Sequence, residues 1–318
     1  MRASLATTYR TLQSQINQLG NQLNELRKIA ASGKKLNKPS DDPSAIRPVL
    51  NSQALLRAND RYLRTMGTAL DRFNNLEDHF EHMENMLVSA YETTIASLNG
   101  AYTAEDRINL ANTISQIKDE LLDVANAKYD GKFIFAGFEE QTKPFTVNAT
   151  YDPLTYDPAN SLTWPAQYHG DDNSSLLEIS PGETVEVGIS GSDLFLGDAD
   201  NDGAVDGDGY DLFALLTRIE AAMRANDPTA TEAELDNLQK GTDQVRIKRG
   251  KIGNNTAKVE RAMENLQEVQ ISLQETLSRY EDADIIEAIT NMTQQENALE
   301  VALQVAAQVS RLSILDYL

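Results

Sequence analysis

Seven-residue apolar repeats at both ends of the chain constrain its fold more than any other feature. Leu5, Leu12, Leu19 and Leu26 recur at one position, and Tyr9, Ile16, Leu23 and Ala30 at the complementary one. That 3–4 spacing puts all eight on one seam, which asks for a partner helix. Later in the chain Leu238, Val245, Ile252, Val259, Leu266, Leu273 and Tyr280 repeat every seven residues without a slip. Thr242, Met263 and Leu277 hold the complementary position there, interrupted by Arg249, Thr256 and Gln270. The last segment, 284–318, offers two seams: Ala298, Ala302, Val305, Val309 and Leu312, and Ile285, Ile289, Met292, Leu299 and Leu303. Two seams on one helix call for neighbours on two sides.

Breakers divide the rest. Gly33 suits the end of the first helix, and Ser40 or Asp42 can cap the next, with Pro43 in its first turn. The spacing predicts one helix over 44–99, roughly 80 Å long at about 1.5 Å per residue. Thr103 with Asp106 opens another, running to about Tyr129. After Asp130-Gly131 the period changes to short strands near 132–135, 145–147, 176–179 and 184–189, amid most of the Pro and Gly. Helix returns at 210–226, and Thr231 with Glu234 reads as a capped start of the long heptad run. The expected fold is mainly α. It is a long antiparallel helical rod, a coiled-coil bundle built from both chain ends, with a small β-rich insertion in the middle. Its divisions are a terminal coiled-coil domain of 1–43 plus 282–318, a helical rod domain of 44–139 plus 210–281 with a short β-hairpin, and a projecting insertion at 140–209.

Composition narrows the function. Only 6% of the 318 residues are aromatic while 41% are hydrophobic, as expected when apolar side chains are spread along extended helices. With 28 basic against 49 acidic side chains the net charge is −21, which argues against nucleic acid as a partner. The chain has no cysteine, which excludes disulfides and thiol catalysis. No stretch reaches the roughly 18 apolar residues of a membrane span, and residues 1–20 lack the apolar core of a cleaved signal. Charge is also polarised. Residues 1–40 carry seven basic side chains against one acidic, and residues 281–318 the reverse. Antiparallel pairing of the ends would bring the two clusters together and set register more than stability.

Chemistry-bearing clusters are few. His79 and His82 stand one turn apart beside Glu77, Asp78 and Glu81, without the facing Glu-x-x-His pairs of a di-metal bundle, and read as a solvated acidic face. Asp198, Asp200, Asp202, Gly203 and Asp206 copy the first half of a calcium loop, but the position that should close the shell with a carboxylate is Gly209. An acidic solvated turn is the plainer reading, so the metal expectation is none and no cofactor is expected. Gly250-Lys251-Ile252-Gly253 lies inside a heptad run, away from any strand–loop–helix setting. No nucleophile elbow or Ser-His-Asp set is present, and the expected role is structural, not enzymatic.

Three stretches carry a resemblance. The first is Ala31-Ser32-Gly33-Lys34-Lys35-Leu36-Asn37-Lys38-Pro39-Ser40-Asp41-Asp42-Pro43. The second is Gly131-Lys132-Phe133-Ile134-Phe135-Ala136-Gly137 with Thr142-Lys143-Pro144-Phe145, and the third is the ending from Gln308 to Leu318. They resemble the flagellin superfamily over about 1–145 and 231–318, and Pro-Ser-Asp-Asp-Pro resembles its hook–filament junction branch. The resemblance implies a structural flagellar subunit, an adaptor joining the hook to the flagellin filament; the alternative is a minor flagellin that forms the filament itself. It implies as partners further copies of the chain, hook-associated protein 1 on the hook side, flagellin and an export chaperone. It implies export by the flagellar type III route to the extracellular flagellum without a cleaved signal peptide, and no insertion into a membrane. Gly33, Pro39, Ser40, Asp41, Asp42 and Pro43 form the family motif loop. Leu5, Leu12, Ile16, Leu19, Leu23, Leu26, Leu299, Leu303, Val309, Leu312 and Leu315 are the expected assembly interface. The insertion is expected to be dispensable for motility.

Overall fold

In the computed structural model the described residues are 2–153, 155–207 and 209–315, with side chains described for 7–309 apart from 154 and 208. The chain divides into two compact units, one formed by 1–60 with 267–318 and the other by 61–266.

The unit made from the chain ends contains helix α1 (Arg2–Ser32), the start of α2 (Pro43–Ser97), the end of α6 (Leu235–Glu281) and α7 (Ile285–Leu315). Gly33 ends α1 with φ +70, and its N–H bonds to the Ile29 carbonyl. That left-handed turn is the C′ geometry its position in the sequence suggests. Of the two candidate caps, Asp42 makes the contact: its Oδ1 accepts from the N–H groups of Ser44 and Ala45, and Pro43 is the first helical residue. Leu36, Ala45 and Val49 form a small buried cluster with Leu277 and Tyr280 beside it.

The second unit holds the rest of α2 and α6 with α3 (Ala104–Ala125), α4 (Leu212–Arg224) and α5 (Pro228–Ala233). Thr103 and Asp106 form a reciprocal capping box at the start of α3. The helix stops four residues short of Tyr129. Asn126 folds back onto the Leu122 carbonyl and offers its side-chain oxygen to the N–H of Phe145, freeing Lys128 and Tyr129 to form a strand. The expected capping box at Thr231 is also absent. Asp227 caps α5 through the N–H groups of Thr229 and Ala230, and Thr231 lies inside that helix. Glu234 instead pairs with Arg218 at 2.9 Å.

Among the described residues strands occur as three separate antiparallel pairs: β1 (Lys128–Tyr129) with β2 (Lys132–Phe133), β3 (Phe145–Val147) with β4 (Ala166–Tyr168), and β5 (Leu176–Ser180) with β6 (Glu183–Glu186). Asp130 and Gly131, both with positive φ, supply the two-residue turn of the first hairpin. Among the described residues the buried side chains of the insertion share the core of the helices. Phe145, Trp164, Ile179, Val187 and Phe195 belong to one buried cluster with Phe73, Phe80 and Leu87 of α2 and Val245 and Ile252 of α6. The low aromatic content is therefore misleading about packing. Phe195 meets Phe135 and Phe145 at 5.2 Å and Phe213 at 5.9 Å between ring centroids. Because of this shared core, removal of 140–209 is expected to cost stability.

The first four heptad positions of α6, Leu238, Val245, Ile252 and Val259, are at most 1% exposed, while Leu266, Leu273 and Tyr280 are half-buried. Two apparent interruptions are partnered. Arg249 pairs with Glu77 at 2.6 Å and Glu84 at 2.7 Å on α2, and Gln270 donates to Asp60 at 3.0 Å.

Candidate assembly interface

The two terminal helices pair antiparallel. Arg27 bonds Glu296 at 2.9 Å and Gln22 accepts from Gln295 at 2.7 Å. On α1 the seam is the expected one from Leu12 to Ala30, where Leu23 is buried and Leu12, Ile16, Leu19, Leu26 and Ala30 are half-buried, but Tyr9 is exposed. On α7 the covered line differs from both expected seams and runs between them, through Ala288, Met292, Gln295, Leu299, Ala302, Ala306 and Val309. Its spacing is still heptad, but alanines occupy several positions where large side chains were sought. Large residues of α1 against small ones of α7 let the two helices approach closely. Met292, Leu299, Ala302 and Val309 of this line come from the two expected seams, whereas Ala288, Gln295 and Ala306 belong to neither.

The larger apolar residues of α7 consequently lie on its flanks and face water. Ile289 and Leu303 are about half exposed on one side, Val301 and Val305 on the other, and Ile286 is 80% exposed. Exposed apolar surface of this extent marks an interaction face. Of the expected interface residues, Leu12, Ile16, Leu19, Leu23, Leu26, Leu299 and Val309 serve the pairing within the chain, while Leu303 points away from it. The side chains of Leu5, Leu312 and Leu315 lie outside the described residues.

Where the terminal helices meet the rest of their unit, a short polar clasp closes. Lys35 N–H bonds the Glu281 carbonyl at 2.7 Å and Ala283 N–H bonds the Gly33 carbonyl at 2.9 Å. The Glu281 carboxylate, nearly buried, takes the Lys34 ammonium at 2.6 Å and the Gln53 amide at 2.7 Å. The basic and acidic end clusters thus meet at Lys34–Glu281 and Arg27–Glu296. In the motif loop Asp41 holds the N–H groups of Asn37 and Lys38, and Asp42 caps α2. The Ser44 hydroxyl and two backbone N–H groups hold the Asp42 carboxyl below its ordinary range. Pro39 and Ser40 lie in the turn between these contacts.

The acidic loop is braced by itself. Carboxylate oxygens of Asp198, Asp200 and Asp206 lie within 4.8 Å of one another, and Asp202 is not part of that trio. Asp198 accepts from the N–H groups of Asp202 and Gly203, Asp206 from that of Ala199, and Asp202 from that of Ala204. Those bonds account for the shape of the loop. His79 is not on a solvated face: it is half-buried, edge-on to Phe135 at 6.4 Å, and burial lowers its pKa. His82 pairs with Glu120 at 3.0 Å.

One further acid, Asp211, is buried. Asp211 caps α4 through Ala214 N–H, while its second oxygen has no partner among the described residues, nor does the buried hydroxyl of Tyr151. Burial pushes the Asp211 carboxyl up to about 7, against the opposing pull of the α4 backbone and Arg218, whose guanidinium is engaged by Glu234. The unfolded chain loses that proton near pH 4. Between about pH 4 and 7 the folded state holds a proton the unfolded state has released, so stability falls as pH rises through that window. Asp211→Asn keeps the capping oxygen and is expected to flatten this dependence. Melting temperature of the variant and parent between pH 4 and 8 checks it, with parallel curves counting against the assignment.

Models of two protein families match the chain: the bacterial flagellin N-terminal helical region over 4–140, and the bacterial flagellin C-terminal helical region over 235–318. Flagellar hook-associated protein 3 of Salmonella typhimurium is 27% identical over 216 residues, 66% of this chain and 61% of that protein. The protein of the same name from Escherichia coli strain K12 is 24% identical over 301 residues, 89% of each chain. Among solved structures, the flagellar junction protein FlgL from Legionella pneumophila superposes with a TM-score of 0.60 at 12% identity, covering 74% of this chain and all of that one. Among the described residues, no helix is long and apolar enough to cross a membrane.

Proposed function

Because the chain belongs to the bacterial flagellin family, its two helical regions together matching more than half of its length, we propose that it is the structural adaptor joining the flagellar hook to the flagellin filament. The observation that carries the assembly part of this reading is the pair of exposed apolar flanks on α7. A helix already partnered by α1 and still apolar on both flanks is built to be covered by other molecules. We assign that covering to further copies of the chain, with a hook-side junction protein and flagellin at the two ends of the layer. The assembly function is placed in the terminal pair, 1–43 with 282–318, with Leu303 facing the neighbouring copy. The role is structural rather than catalytic. Export as an uncleaved chain, held by a chaperone that masks the apolar flanks until assembly, fits the same surfaces.

Deletion of the gene tests the reading. The adaptor predicts normal secretion of flagellin into the medium with no filament retained on the hook, and filaments that stay attached in the deletion strain would refute it. The minor-flagellin alternative predicts unlimited polymerisation of the purified chain, whereas an adaptor stops at a short layer.

A further inference from the structure

Two faces of the unit built from the chain ends carry complementary charge that the chain does not use. On α2, Arg47, Leu50, Ala54 and Arg57 follow one another at 3-4-3 spacing and are all exposed. That spacing puts them on one face of a helix. On α6, Glu268, Ile271, Glu275 and Ser278 repeat the same 3-4-3 spacing, also exposed, with the exposed Arg279 one turn past Glu275. Leu50 is 55% exposed and Ile271 57%.

Arg72, Arg218, Arg224, Arg246 and Arg249 each hold a carboxylate. Among the described residues Arg47 and Arg57 hold none, and Glu268 and Glu275 meet no basic group. An isolated basic stripe on a chain of net charge −21 is not explained by solubility, which the acidic excess already provides.

Register fixes what the two faces could meet. Gln53 bonds Glu281 and Asp60 accepts from Gln270, so α2 and α6 run antiparallel with residue 57 level with residue 275. In a layer of like-oriented copies each contact is head-to-tail: one patch of a copy meets a different patch of the next. The α2 of one copy then meets the α6 of its neighbour antiparallel and at the same height, Arg57 opposite Glu275. We propose that the arginine face of α2 docks on the glutamate face of α6 in an adjacent copy, with Arg57–Glu275 as a contact between copies. Leu50 and Ile271 are the apolar residues of the two faces. This contact rests on the adaptor reading and adds to it a second interface, distinct from the α7 flanks.

The chain contains no cysteine, so introduced thiols report without background. Two full-length variants, tagged Arg57→Cys and untagged Glu275→Cys, are co-expressed in the native host, and isolated flagella are oxidised. A mixed tagged–untagged disulfide can form only between copies. Its yield should exceed by about fivefold that of the control pair Arg57→Cys with Glu120→Cys, and equal yields overturn the contact. Arg57→Glu should raise flagellin shed into the medium about tenfold, and adding Glu275→Arg should restore retention. A charge-reversed single variant that retains filaments like the parent also overturns it. If deletion of the gene leaves filaments attached, the adaptor reading fails instead, and the mixed disulfide still decides whether the two faces touch.

Discussion

Phe195→Ala is expected to lower the stability of the unit spanning 61–266 by about 3–5 kcal/mol, the range for truncating a fully buried aromatic ring. Phe195 is fully buried and touches Phe135, Phe145 and Phe213, which come from three separate stretches of chain. The cavity left behind cannot close without moving several of them. A fall of this size is a large share of the roughly 5–15 kcal/mol that holds an ordinary domain folded. Removing 140–209 altogether takes away Phe145, Trp164 and Phe195 together and leaves their neighbours on α2 and α6 facing water. The deletion is therefore expected to abolish cooperative unfolding, where the sequence alone suggested a tolerated loss. Calorimetry of both variants checks the pair. A deletion variant that melts as sharply as the parent would show that the helices keep a sufficient core without the insertion.

The second large effect falls on assembly and spares folding. Leu303 is 51% exposed on a flank of α7, so Leu303→Asp should change the melting temperature of the monomer little, as surface substitutions do. If neighbouring copies cover that flank, the same change buries a carboxylate without a partner and blocks the layer. Loss of filament retention with an unchanged melting curve is the expected result. Leu23→Asp separates the two roles of the terminal pair. Leu23 is 4% exposed against α7, so this variant should loosen the pair itself and also fail to assemble. Retention equal to the parent in Leu303→Asp would remove that flank from the interface.

Legibility followed chemistry. The seam of α1 and the heptad of α6 were readable because large aliphatic residues repeat there every seven positions. Gly33 and the Thr103–Asp106 box were readable because a left-handed turn and orphan N–H groups demand particular residues. The covered line of α7 was only partly readable, because it takes residues from both seams and adds Ala288 and Ala306, which hydropathy weighs lightly. The stop of α3 at Ala125 depends on Asn126 reaching Phe145 nineteen residues later, a tertiary contact that no local pattern announces. Asp211 looked like one acid among many, since nothing in its neighbourhood of sequence marks a position walled in by α4 and its surroundings.

The clasp at the base of the terminal helices has a mechanical consequence. Gly33 and Lys35 leave α1 and bond Ala283 and Glu281, which lie between α6 and α7, while Gln53 ties Glu281 to α2. Backbone bonds placed side by side between two chain segments resist sliding together, whereas bonds met one after another peel in turn. A pull arriving through either terminal helix is thus shared at once between the roots of α2 and α6. The crossover behaves as a yoke that spreads tension from one strand of the chain over two.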